Sequence, residues 1–199
     1  IGGIAGNAVS GMQPGAMLVC LDPAAPHAGL IPPRDDISVF VCHPSHPSVF
    51  NEEVDMNARF DFFGSGKAKQ PIVCALMRGP ETDYEKGAQL AAAMWKPVTK
   101  VHRVTVEQMA LLEPVLSETV AATCITVIRE AMDEAIARGV PADAARDFLL
   151  GHVFCELGIL FDKAGFPFSD GAKKAIEEAK KDIFQPDWKK VFEPEALRT

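Results

Sequence analysis

Apolar positions along the chain fall into two textures that meet near residue 102. Upstream of it, short β-branched runs alternate with Pro, Gly and Asp. Residues 16–21 (Ala-Met-Leu-Val-Cys-Leu), 37–42 (Ile-Ser-Val-Phe-Val-Cys) and 71–76 (Pro-Ile-Val-Cys-Ala-Leu) each read as a buried strand, with 98–104 as a shorter fourth. Such near-continuous runs suit a sheet covered on both faces. Residues 1–12 and 81–94 read as helices. Strand, connection, strand in this order predicts a parallel sheet with crossovers.

Downstream the spacing is helical. Residues 105–138 form one long segment that ends at Arg138-Gly139, a basic last turn before a glycine stop. Pro114 lies inside it and predicts a kink or a break. Pro141 opens a helix that runs to about Lys163. A polar helix over 172–181 follows Ser169-Asp170-Gly171, and the tail 186–192 has too little pattern to assign. The fold class is α/β plus all-α, with a partial Rossmann-like domain over 1–101 and a helical domain over 102–199. The first domain resembles the second half of a dinucleotide fold. The turn that would carry pyrophosphate needs glycines between a first strand and a first helix. Ile1-Gly2-Gly3-Ile4-Ala5-Gly6 has glycines but no preceding strand and the wrong spacing.

Charge narrows the partners. The formal net charge is −7, which disfavours nucleic acid and anionic membrane surfaces. No apolar run approaches the roughly 18–20 residues that span a bilayer, and no secretory leader pattern opens the chain. The five cysteines are odd in number and lie in apolar runs without a Cys-x-x-Cys pair, which predicts reduced, buried thiols in a cytoplasmic protein.

Ligands of open α/β sheets bind at the carboxyl ends of the strands. The first strand ends in Leu21-Asp22-Pro23-Ala24-Ala25-Pro26-His27 and the second in Cys42-His43-Pro44-Ser45-His46-Pro47. Prolines stiffen the second loop, and His43 and His46 offer imidazoles that can act as acid or base near neutrality. The alternative is a turn whose histidines simply bond backbone. In the helical half, Glu107, Glu113 and Glu118 sit among apolar residues, and His152 and Glu156 interrupt an apolar helix four positions apart, on one face. That pair could meet one ligand or one divalent ion, or could be a satisfied core pair.

These segments carry a resemblance. Leu-Asp-Pro-Ala-Ala-Pro (21–26), His-Pro-Ser-His-Pro (43–47), Val-Thr-Val-Glu-Gln-Met-Ala-Leu-Leu-Glu-Pro (104–114), Leu-Ser-Glu-Thr-Val-Ala-Ala-Thr-Cys (116–124) and Phe-Ser-Asp-Gly-Ala (168–172) are similar to the D-apionate oxidoisomerase family, within the 6-phosphogluconate-dehydrogenase-like superfamily. The likeness covers essentially the whole chain. Ketol-acid reductoisomerases are more distantly similar at Glu107-Gln108, Glu156-Leu157 and Ser169; Arg103 and Gly158 depart from that family's pattern. The long helix also lacks a lysine where a true 6-phosphogluconate dehydrogenase carries its catalytic one.

The resemblance implies a Rossmann-like half followed by a 6-phosphogluconate-dehydrogenase-like helical domain that builds a homodimer. It implies an NAD- or NADP-dependent oxidation of a hydroxylated sugar acid, coupled to rearrangement, with Mg²⁺ as a candidate second cofactor. On that reading His43, His46 and Glu107 are the catalytic candidates. His152, Ser169 and Glu118 contact substrate, Asp22 and Pro23 lie at the cofactor, and Glu107 with Glu156 hold the metal. Two other readings compete: a prephenate-like dehydrogenase, which also places His-Pro at a strand end, and a non-catalytic helical dimerisation module.

Overall fold

A computed structural model describes residues 2–193 and 195–196, so Ile1 of the expected first helix and the last three residues of the expected helical domain lie outside the described residues. The chain divides into two compact units, one running to Leu116 and the other over Ser117–Ala196.

The first unit is built on four strands: β1 (Met17–Cys20), β2 (Ser38–Pro44), β3 (Gln70–Arg78) and β4 (Val98–Arg103), lying in that order in one sheet. All four fall where the apolar runs predict. β1 pairs parallel with β2 and β3 parallel with β4, but β2 and β3 run antiparallel. The sheet is therefore mixed, which corrects the expectation of a wholly parallel one. An apolar run reads the same in either direction, so periodicity reports burial and not polarity.

β2 sits in the middle of the core, buried from Ser38 to Cys42. Alternation sends its side chains to opposite faces. Phe40 and Cys42 join Ile72, Cys74, Tyr84 and Ala91 on one face, while Val41 joins Ala75, Val106 and Met109 on the other. The first face is covered by α4 (Glu81–Met94), which begins with Glu81 and Asp83 in its first turn, where negative charge favours the helix dipole. Its buried positions, Tyr84, Gly87 and Ala91, lie along one stripe. Gly87 sets how closely the helix approaches, because a Cβ there would fall within 2.6 Å of three atoms of the Phe40 ring. The second face takes α5 (Val106–Ala110), whose cap is reciprocal. Thr105 Oγ accepts from the Gln108 N–H at 3.1 Å, and Gln108 Oε1 accepts from the Thr105 N–H at 2.9 Å. Three shorter helices complete the unit: α1 (Gly2–Gly11), α2 (Ala24–His27) and α3 (Met56–Arg59). Arg34 closes α1 by donating to the carbonyls of Val9 and Met12, at 2.8 and 3.0 Å.

Pro114 does not break the long helix. Helical winding is continuous over Val106–Ala137 and widens to π-helical turns over Leu111–Ala122. A proline ring collides with the carbonyl four residues back in ordinary α winding, and a wider turn relieves that collision. By length and composition this continuous segment is apolar enough to cross a membrane, which corrects the expectation that no apolar run approaches that length.

The second unit continues with α6 (Thr123–Ala137), α7 (Ala142–Leu160) and α8 (Asp170–Ile183), followed by a 3₁₀ turn over Trp188–Phe192. Gly139, at φ 99°, supplies the left-handed stop expected after α6. α6 and α8 bury no residue, and α7 buries only Ala145 and Gly158.

Candidate functional site

The carboxyl ends of β1 and β2 lie side by side, since Cys20 pairs with Val41. His43 leaves the end of β2 half-buried, and its Nδ1 lies 2.8 Å from the carbonyl of Leu21 at the end of β1. His46 follows in the left-handed region, at φ 61°, with Nδ1 3.1 Å from the carbonyl of Phe63. The two rings meet edge to face, 6.1 Å between centroids, and Phe63 packs on His46 in the same way at 5.8 Å.

These contacts assign the tautomers. A backbone carbonyl can only accept, so Nδ1 of each neutral imidazole carries the proton and Nε2 keeps its lone pair. Both histidines thus hold the nitrogen suited to accept a proton away from their own anchoring bonds. Backbone bonding is therefore compatible with a free Nε2 on each of these two side chains.

Asp22 and Pro23 shape the adjoining wall. The Asp22 carboxylate accepts from the Ala24 N–H at 2.7 Å and so starts α2, and Pro23 is among the fully buried side chains. The Asp22 side chain is occupied with holding the loop, and the Pro23 ring packs inward. At the far end of α2, His27 borders a cavity of about 270 Å³ with Arg103, Thr105 and Glu107 around it. Glu107 is exposed, and hydrogen bonds from its own backbone N–H and from Thr105, with the nearby His27 imidazole, hold its carboxyl below the usual range. Arg103 pairs with Glu81 and lies over the Tyr84 ring at 4.1 Å. His27 stood in the strand-end string of the sequence but drew no role, because α2 is too short for a periodic pattern to place it beside Glu107.

The remaining candidates belong to the second unit. Glu118 is exposed on the π-helical stretch. His152 and Glu156 are both exposed on α7, so they are not a core pair; His152 stacks on Phe148 at 4.0 Å and its Nδ1 bonds the Phe148 carbonyl at 2.9 Å. Ser169 caps α8, its Oγ accepting from the Ala172 N–H at 3.2 Å. A separate cleft of about 520 Å³ opens beside it, among Leu160, Asp162, Phe166, Phe168 and Lys173.

The donor sets test the implied cofactors. Among the described residues, no group of three or more His, Cys, Asp or Glu gathers as a metal site would require, and Glu107 and Glu156 fall in different units. The adjoining strand ends, with two oriented imidazoles, lie where open α/β sheets bind their ligands.

The family described as phosphogluconate dehydrogenase (decarboxylating) C-term matches residues 51–199. A D-apionate oxidoisomerase from Rhizobium rhizogenes is 53% identical over 197 residues, 99% of this chain and 72% of that protein. A second, from Cupriavidus necator, is 49% identical over 99% of this chain and 71% of its own. The chain belongs to the D-apionate oxidoisomerase family. A solved structure of a semialdehyde dehydrogenase NAD-binding protein from Cupriavidus necator, in complex with calcium and NAD, superposes with a TM-score of 0.96. It is 49% identical and is matched over 100% of this chain and 72% of its own. An NADH-preferring ketol-acid reductoisomerase from an uncultured archaeon is 17% identical at a TM-score of 0.64, over 99% of this chain and 59% of that one, a likeness of fold alone. The family thus has the Rossmann-like and helical architecture that the sequence resemblance implied.

Proposed function

We propose that the chain serves an NAD-dependent oxidoisomerase that oxidises a branched, polyhydroxylated acid of the D-apionate type. The observation that carries this reading is the pair of half-buried imidazoles at adjoining strand ends, each with Nδ1 held by a carbonyl. The relatives' activity and the NAD in the similar solved structure support the substrate class and NAD over NADP. Bound NAD supplies the hydride acceptor. His43 or His46 takes the hydroxyl proton on Nε2, so that the C–H electron pair can leave as hydride and the carbon–oxygen double bond can form. Asp22 and Pro23 shape the wall beside that carbon. In the helical unit, Ser169, next to the cleft at Phe168 and Lys173, and His152, elsewhere on α7, remain candidates for binding the acid.

The test is NADH formation, followed by absorbance, with NAD and a panel of sugar acids that includes D-apionate and, as a control, prephenate. Positioned acid–base groups contribute about 10²–10⁴-fold, so His43→Ala or His46→Ala is expected to lower kcat by about that factor. Retention of kcat within about tenfold of the parent in both variants and in the double variant removes the histidines from the chemistry.

We also infer a homodimer joined through the helical unit. α6 buries nothing, yet Ile125, Val127 and Ile128 project from it, and Phe148, Leu150 and Phe154 stand exposed on α7. Apolar helices of this kind are stable when another surface covers them. Light scattering on detergent-free protein should give twice the chain mass; a monomer, or a protein soluble only in detergent, refutes the pairing. The five free thiols, with Cys42 directly opposite Cys74 and both unbridged, support a reducing, cytoplasmic location.

A further inference from the structure

His46 depends on a carbonyl that its own strand does not supply. Phe63, which offers it, has a side chain 78% exposed, so side-chain burial does not hold that peptide in place. Its neighbours are held instead. The Gly64 N–H donates to the Asp61 carbonyl at 3.2 Å, and the Gly64 carbonyl accepts from Gln70 Nε2 at 3.0 Å. The Asp61 carboxylate collects four donors: the Ser65 N–H and Oγ on Oδ1, at 2.8 and 2.7 Å, and the Lys67 and Ala68 N–H groups on Oδ2, at 3.0 and 3.1 Å. Asp61 is 8% exposed and Gln70 fully buried. Gly64, at φ 71°, leaves no space for a side chain, because a Cβ would come within 2.5 Å of the Gln70 amide group. Two buried polar side chains therefore hold the peptides that follow the Phe63 carbonyl, and the Asp61 backbone carbonyl holds the peptide that carries it.

We propose that Asp61 is a positioning residue for His46: its carboxylate fixes the turn over residues 61–68 so that the Phe63 carbonyl stays on His46 Nδ1 and Nε2 stays the basic nitrogen. The inference rests on the reading of His46 as a proton acceptor. An ionised carboxylate accepts on both oxygens and carries no proton of its own to set against these donors, and the four donors hold the Asp61 carboxyl well below the usual carboxylate range. An asparagine would point a donor at donors on one side and release part of the turn. His46, already in a backbone region that few side chains favour, would then lose the acceptor that selects its tautomer.

The test uses the whole protein labelled with ¹⁵N-histidine. Long-range proton–nitrogen correlation reports which ring nitrogen carries the proton, with His46→Ala assigning the signal. The parent is expected to show His46 protonated on Nδ1. Asp61→Asn is expected to mix in the Nε2-protonated form and to lower kcat by about tenfold or more, with KM little changed. His43 answers to Leu21, just past β1, so its signals stay as in the parent. Ser65→Ala removes one donor alone and should shift His46 the same way, less far; if Asp61→Asn does not fold, this variant decides. An unchanged His46 tautomer in the folded variant overturns the proposal, as does a shift shared equally by His43. If the tautomer moves while His46→Ala keeps full activity, Asp61 positions His46 as argued and the reading of His46 as the base fails.

Discussion

Gly87→Ala sets a local rule against a tertiary contact. In a helix interior, Gly to Ala ordinarily stabilises by about 0.8–1 kcal/mol. Gly87, however, is buried where α4 crosses β2, and the new Cβ would fall within 2.6 Å of three atoms of the fully buried Phe40 ring. Ordinary carbon contacts lie near 3.5–4.0 Å, so the helix or the ring must yield by about 1 Å. Overpacking costs roughly 1–3 kcal/mol, and an approach this close falls at about 2–3 kcal/mol of that range. The contact outweighs the propensity gain, and the expected net is a loss of about 1–2 kcal/mol. For a chain of this size that lowers the thermal midpoint by roughly 2–8 °C, followed by circular dichroism at fixed protein concentration. Phe40→Leu in the same chain should relieve the collision, so the double variant loses less than the sum of the singles. A midpoint equal to or above the parent's in Gly87→Ala would refute the argument that α4 is held at contact distance by this glycine.

Other expectations follow from the caps and the buried carboxylate. Thr105→Ala removes one half of a reciprocal cap and should cost about 0.5–2 kcal/mol, read from denaturant midpoints; Thr105→Ser should recover most of it. Asp61 has a folded pKa depressed by its hydrogen bonds. Its contribution is complete above the unfolded value near ~4 and is lost as pH falls through the lower folded value. Asp61→Asn should therefore be less stable than the parent at neutral pH, with the gap closing in acid. A gap independent of pH would show that the charge of Asp61 is not what the turn uses.

The strands were legible because their burial is written in the chain. Val39, Phe40, Val41 and Cys42 carry no polar interruption, and all four are buried. Strand direction was not written there, and β3 turned out antiparallel to β2. The short helices α2 and α3 escaped for a related reason, since four residues are about one turn. Pro114 shows a different limit. The sequence identified the steric conflict, but the widened winding that resolves it depends on helix on both sides. In the helical unit, the spacing located α6, α7 and the polar α8, while the apolar run of α7 suggested a core. His152 and Glu156 look like polar guests in that core when read along the chain, yet both are exposed. Apolar periodicity shows that a face wants cover without saying which surface supplies it.

The site divides in the same way. The His-Pro-Ser-His-Pro run announced two imidazoles at a strand end, and the fold places them there. What leaves Nε2 free on each is the acceptor its Nδ1 finds, and both acceptors come from distant segments: Leu21 for His43 and Phe63 for His46. A side chain's identity is a property of the sequence, but a tautomer is a property of the fold. The Asp61 cluster makes that dependence concrete, because a carboxylate that touches neither histidine ring governs the peptide on which one of them relies. In the sequence Asp61 is one acidic residue between two aromatics, with the ordinary reading of a solvated loop charge. Only its burial and its four donors distinguish it. Sequence reasoning is thus strongest for the side chains proposed to meet substrate and weakest for the groups that orient them, since orientation is carried by backbone carbonyls and amides that every residue possesses.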